Sequence, residues 1–108
     1  MNKNSSIFVA GHRGLVGSGI IRELKSKGFS KIITRTRKEL DLMDQRAVSK
    51  FFAETKPEYV IDSAAKVGGI YANMTYPAEF LYENTQIQNN LIWSAKEAGV
   101  KKFIFLGS

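Results

Sequence analysis

Cysteine is absent from this sequence, which removes disulfide scaffolds, thiolate nucleophiles and cysteine-based zinc sites in one step. No metal site is expected. No stretch stays apolar over the roughly 18 residues that a membrane span needs. The start, Met1 to Ser6, lacks the long apolar core of a signal peptide. These absences lead to the expectation of a soluble, cytoplasmic protein with no membrane partner. A low-complexity basic tail is missing too, as is any basic stripe interleaved with aromatic residues, although sixteen basic residues outnumber ten acidic ones. The net charge of +6 therefore reads better as a solvated face than as a polyanion surface, and no nucleic-acid partner is expected.

What the 108 residues do hold, at 44% hydrophobic, suffices for one modest core. The most informative stretch lies near the N-terminus. An apolar run of strand character, Ile7 to Ala10, meets three glycines spaced three apart, Gly11, Gly14 and Gly17, and an amphipathic helix pattern follows. Gly11 permits a tight turn off the strand. Gly14 lets the main chain approach a pyrophosphate, and Gly17 lets the helix lie against a sheet. The free N–H groups and positive end of that helix then face the phosphates. The spacing is Gly-x-x-Gly-x-x-Gly rather than the strict dinucleotide fingerprint, so the triplet alone fits either a dinucleotide site or a plain tight turn.

Along the chain, Leu15, Val16, Ile20, Ile21 and Leu24 recur at helical spacing and should turn inward, with Gly28 closing that helix. Lys31 to Thr34 reads as a second strand, completing a strand–helix–strand unit whose crossover should be right-handed. After a polar loop carrying Leu40 and Leu42, Asp44 is placed to cap a helix over residues 45–55 that buries Val48, Phe51 and Phe52. Pro57 stops it, and Tyr59 to Asp62 follows as a third strand. A small-residue loop from Ser63 to Tyr76 leads to Pro77, which suits a first helical position. A long helix is expected from about Ala78 to Ala98, with Phe80, Leu81, Ile87, Leu91, Ile92 and Ala95 inward and Gly99 at its end. Lys102 to Leu106 is the fourth strand. This alternation of strands and helices predicts an α/β fold, a Rossmann-type parallel sheet with helices on both faces. Ligands bind such sheets beyond the carboxyl ends of the strands. Those ends are residues 11–17, 35–42, 63–69 and 107–108.

The end of the second strand decides which cofactor fits. An NAD site has an Asp or Glu there to hold the ribose hydroxyls. Here the chain reads Thr34-Arg35-Thr36-Arg37, with no carboxylate until Glu39. Arg13 approaches from the glycine turn, and guanidinium forks around one spot suit a 2′-phosphate. NADP is therefore favoured over NAD, while Arg35 fits an ordinary solvated loop equally well. Asp41 and Leu42 suit the edge and face of an adenine ring, or else a turn residue and a core residue. His12 fits a loop position beside the cofactor better than a general base. Lys66 lies on the rim, where a lone lysine is usually solvated, and Ser108 ends the fourth strand where a catalytic hydroxyl would sit.

Four segments, Ala10-Gly11-His12-Arg13-Gly14-Leu15-Val16-Gly17-Ser18, Arg35-Thr36-Arg37, Ala64-Ala65-Lys66-Val67-Gly68-Gly69-Ile70 and Phe105-Leu106-Gly107-Ser108, carry a resemblance. The sequence resembles the extended short-chain dehydrogenase/reductase superfamily, and within it the enzymes that epimerise and reduce GDP-4-keto-6-deoxy-mannose. The resemblance implies NADPH held by residues 11–17, that is Gly11, His12, Arg13, Gly14, Leu15, Val16 and Gly17. It puts Arg13 and Arg37 on the 2′-phosphate, Asp41 and Leu42 near the adenine, and Ala64, Ala65 and Lys66 under the ribose and nicotinamide side. Leu106 and Gly107 would sit beside the cofactor, and Ser108 would hydrogen-bond the keto oxygen of a GDP-sugar. Homodimers are usual among such enzymes, through helices that include the one near residues 80–98. The superfamily's Tyr-x-x-x-Lys pair does not occur in these residues, so the expectation is the N-terminal part of a longer enzyme, inactive alone and without the substrate domain. Two other readings stay open: another NAD(P)-dependent nucleotide-sugar epimerase or dehydratase, and a non-catalytic dinucleotide-binding module.

Overall fold

The computed structural model describes residues 1–64 and 78–106, with the side chains of Phe80 and Leu81 outside that description. Its elements are β1 (Ile7–Ala10), α1 (Leu15–Ser26), β2 (Ile32–Ile33), α2 (Gln45–Thr55), β3 (Tyr59–Asp62), α3 (Ala78–Glu97) and β4 (Lys102–Phe105). All four residues of β1 are buried, as befits a central strand covered on both faces. The strands form one parallel sheet in the order β2-β1-β3-β4. Ala10 stands opposite Asp62, and Asp62 opposite Phe105, so three strand ends share one rim.

Alternation along the strands divides the core in two. Phe8, Ala10 and Val60 face α2 and α3, packing with Val48, Phe51, Phe52, Leu91 and Ala95. Ile7, Val9 and Ile61 face the other way, against Leu24 of α1. Helices thus cover both faces. The rings of Phe8, Phe51 and Phe52 pack against one another tilted or edge to face, with centroids 4.7 to 5.8 Å apart.

The helix ends follow from local chemistry. Asp44 caps α2, its carboxylate accepting from the N–H groups of Arg46 and Ala47. At the end of α1, Gly28 donates to the Lys25 carbonyl and Phe29 to that of Leu24, and α3 closes likewise with Gly99 and Val100. This paired closure satisfies carbonyls that the helix would leave bare.

Two expectations fail, for one geometric reason. Leu15 and Val16 are 88% and 58% exposed rather than inward. The sheet-facing line of α1 runs through Gly17, Ile20, Ile21 and Leu24, and Leu15 and Val16 lie off that line. Ile92 is likewise 51% exposed, because the inward line of α3 runs through Ile87, Leu91 and Ala95. The strands are shorter than expected: only Ile32 and Ile33 pair in β2, and Leu106 follows the end of β4.

Candidate functional site

The chain passes from β1 to β2 on one side, then places β3 on the other side of β1. A parallel sheet whose strand order reverses in this way opens a crevice at the carboxyl ends of the two strands. A cavity of about 490 Å³ lies there, lined by the glycine turn, the loop after β2 and the start of the loop after β3.

The turn is built from main chain. Gly11 has φ +81°, a conformation costly for any residue with a Cβ. Even if that cost were met, a Cβ there would lie 2.7 Å from the Ser63 carbonyl oxygen and 2.8 Å from the Ala64 backbone. A Cβ at Gly17 would collide with the Gly11 carbonyl. Gly14 N–H donates to that same carbonyl at 3.1 Å, and Gly14 is the N-cap of α1. No side chain caps the helix, and its first turn holds no acidic residue. The amides and the positive end of α1 are thus left for an anion.

Arg13, Arg35 and Arg37 line the same cavity, together with His12 and Thr36. The salt bridges among the described residues join Lys27 to Glu23, Lys50 to Glu54 and Lys101 to Glu58, so none engages these arginines. Arg35 is held in place: its guanidinium carbon sits 5.1 Å from the centre of the Phe51 ring, and Nη1 donates to the Thr34 carbonyl. The cation thus lies over an aromatic ring of the core. The nearest carboxylate of the loop, Glu39, accepts from Thr36 N–H at 2.8 Å, while Glu39 N–H donates back to the Thr36 hydroxyl. That backbone bond, then the Thr36 side chain, and to a lesser degree the positive charge of Arg35, hold the Glu39 carboxyl below its ordinary range. Glu39 is therefore committed to the loop, and the cationic groups face the cavity.

Asp41 and Leu42 have the turn and core places that the sequence allowed, and both also line the cavity. Asp41 shapes a turn by accepting from Met43 N–H, and Leu42 packs partly into the core. The Leu42 carbonyl accepts from the buried Asn90 side chain of α3 at 2.9 Å, and Gln86 donates to the other end of that amide. At the end of β3, Asp62 is fully buried, and one carboxylate oxygen accepts from Ala64 N–H. Burial pushes its carboxyl above the ordinary range, and its second oxygen has no partner among the described residues.

The expected site residues divide into three groups. Gly11, His12, Arg13, Gly14, Arg35, Arg37, Asp41, Leu42 and Ala64 converge on the cavity. Leu15 and Val16 project into solvent, Gly17 is buried under the turn, and Leu106 packs on the α1 side of the sheet. Ala65, Lys66, Gly107 and Ser108 lie outside the described residues. The wall formed by Leu40, Met43, Glu83 and Ile87 was not expected. Leu40 and Ile87 carry an apolar signal, but nothing in sequence spacing points Glu83 of α3 toward a loop some forty residues earlier.

Known proteins are similar to this chain in sequence and in fold. Residues 7–108 match the model of the NAD dependent epimerase/dehydratase family. The chain is 59% identical over 107 residues to GDP-L-fucose synthase 1 of Arabidopsis thaliana, covering 99% of this chain and 33% of that one. It is 52% identical over 102 residues to GDP-L-fucose synthase of Escherichia coli K12, covering 94% and 32%. Among solved structures, the NADP-bound GDP-mannoheptose C4 reductase from Campylobacter jejuni superposes with a TM-score of 0.89 at 46% identity, covering 99% of this chain and 34% of that chain. The chain spans about a third of the length of the curated relatives it matches.

Proposed function

Because the chain belongs to the NAD-dependent epimerase/dehydratase family, we propose that residues 1–108 form the N-terminal part of an NADP-binding Rossmann-type domain in a GDP-sugar epimerase/reductase. The parent enzyme converts GDP-4-keto-6-deoxy-D-mannose to GDP-L-fucose. The carrying observation is an uncapped helix end meeting Arg13, Arg35 and Arg37 in one cavity, none of them in a salt bridge among the described residues. Main-chain amides of the glycine turn take the pyrophosphate. Arg13 and Arg37 take the 2′-phosphate by charge-assisted bonds, and Leu42 covers the adenine. When bound, the dinucleotide supplies the hydride that reduces C4 of the sugar. Ala65, Lys66 and Gly107 belong to the nicotinamide side of this reading, and the Ser108 hydroxyl to the keto oxygen. The names of the relatives support the GDP-sugar class.

The enzyme is proposed to work as a homodimer in the cytoplasm. Tyr82, Ile92 and Trp93 of α3 are each more than half exposed, a concentration of apolar surface that suits a second copy. The lack of cysteine suits a reducing compartment.

One neighbour is a heptose reductase, which favours a second reading: a C4 reductase acting on a GDP-4-keto-heptose. The test is to supply the full-length protein with NADPH and either GDP-4-keto-6-deoxy-mannose or a GDP-4-keto-heptose, and to identify products. GDP-fucose from the first substrate supports the main reading. Turnover of the heptose alone moves the protein to the second, and oxidation of NADPH with neither overturns both.

A further inference from the structure

Beneath the glycine turn lies a polar contact with no assigned role. Ser63, the first residue after β3, points its side chain toward α1. Its hydroxyl donates to the Ala10 carbonyl at 2.6 Å and makes a longer contact, 3.4 Å, with the Gly11 carbonyl. The Ser63 N–H also donates to Ala10, at 3.0 Å, so that carbonyl has both its lone pairs filled from one residue. The hydroxyl sits 2.8 Å from where a Cβ of Gly17 would be. Ser63 thus stands at the junction of β1, β3 and the first turn of α1.

We infer that Ser63 is a positioning residue for the phosphate-binding turn, its hydroxyl fixing the peptide planes that present main-chain N–H groups to the pyrophosphate. Every peptide bond described here is trans, so a carbonyl and the N–H of the same peptide point in opposite directions. The Gly11 carbonyl is turned inward, onto Gly14 N–H and toward Ser63. The His12 N–H therefore points outward, on the side where His12 and Arg13 line the cavity. Holding the carbonyls down holds that donor up. Preorganised donors cost no rearrangement when the anion arrives. The fold itself does not depend on the hydroxyl, because β1 and β3 keep their ladder and Ala10 keeps the Ser63 N–H.

The inference rests on the dinucleotide reading above, and its test separates the two. NADPH is titrated into the full-length protein and its Ser63→Ala and Ser63→Thr variants, and amide exchange is followed in each without ligand. Ser63→Ala should weaken NADPH about three- to tenfold, the worth of one hydrogen bond. Exchange at Gly14 should quicken by a similar factor, while α2 amides and the melting temperature stay as in the parent. Ser63→Thr, which keeps the hydroxyl, should restore both. Unchanged Gly14 exchange in Ser63→Ala overturns the inference, as does parental NADPH affinity in that variant, or a threonine variant no better than alanine. A parent protein that binds no dinucleotide sinks the cofactor reading instead, and the Gly14 exchange then decides alone whether Ser63 holds the turn.

Discussion

The two halves of the candidate site are made of different material. The glycine turn is main chain pressed against main chain: Gly11 and Gly17 have no room for a Cβ, and the Gly11 carbonyl is shared by Gly14 and Ser63. The loop after β2 is the reverse. Arg35, Arg37, Lys38 and Asp41 are exposed, and what fixes the loop is a set of local bonds, Thr36 with Glu39 and Asp41 with Met43. One half selects by excluding volume, the other by presenting charge. A Cβ added in the first should damage the fold, and an arginine removed from the second should alter only what binds.

The largest effect expected is from Gly17→Ala. Its methyl group would meet the Gly11 carbonyl and the Ser63 hydroxyl, and backbone cannot step aside as a flexible side chain does. Overpacking costs about 1–3 kcal/mol and occasionally more, and a clash with backbone belongs at the upper end, a large share of a small domain's stability. Thermal unfolding followed by circular dichroism should show a strongly lowered or absent transition. A variant that melts like the parent would show the turn to be softer than drawn, and the contrast between the halves would collapse. Next in size is Arg37→Ala. Losing a charge-assisted bond of about 1.5–3 kcal/mol should weaken NADPH roughly ten- to a hundredfold, leaving NADH affinity and the melting temperature unchanged. Calorimetry at two salt concentrations checks it, since the NADPH preference should also shrink as salt rises. Equal losses for both dinucleotides would place Arg37 away from the 2′-phosphate.

Smaller again is Asp44→Ala, at the far end of the arginine loop. Two amide donors of α2 lose their acceptor, which costs about 1 kcal/mol. A chemical-denaturation midpoint should fall with an unchanged slope. Because α2 carries Phe51, over whose ring Arg35 lies, the same variant tests whether the loop leans on the helix beneath it. Parental NADPH affinity would show that it stands by itself.

The contrast between the halves also explains what was legible in the sequence. Gly11, Asp44 and the buried strand Ile7–Ala10 act through local backbone rules, which leave marks at fixed spacing, and they lie where those rules put them. Arg13, Arg35 and Arg37 stand out in the sequence because basic residues occupy the place where an NAD site carries an acidic one, and all three line the cavity. Leu15, Val16 and Ile92 misled because hydrophobic periodicity tolerates a stripe broader than the real contact. Which edge of the stripe meets the sheet is set by tertiary packing, here by the close approach at Gly17. Asn90 holding Leu42, Glu83 facing the loop and Ser63 under the turn join residues far apart in the chain. No local pattern marks such pairs.

The smallest change expected in the native fold comes from Asp62→Asn, and it bears on the glycine half from the end of β3. Asn can keep accepting from Ala64 N–H, and its amide nitrogen replaces the oxygen that has no partner among the described residues. Gln88 faces Asp62 from α3 and moderates the rise in its pKa, although its amide makes no hydrogen bond of good geometry among the described residues. What the substitution removes is a buried charge. Burial raises the Asp62 carboxyl above its ordinary range, so between the unfolded and folded pKa values the native state binds more protons than the unfolded chain. Stability therefore falls as pH rises through that window. The penalty is absent below the ordinary Asp range and complete above the raised value. Asp62→Asn should match the parent most closely in acid and gain on it as pH rises, the difference levelling off once the parent's carboxyl is ionised. Denaturation midpoints measured across pH would show diverging curves. Parallel curves would mean that Asp62 finds a partner for its charge, and that the end of β3 is polar and compensated rather than dry.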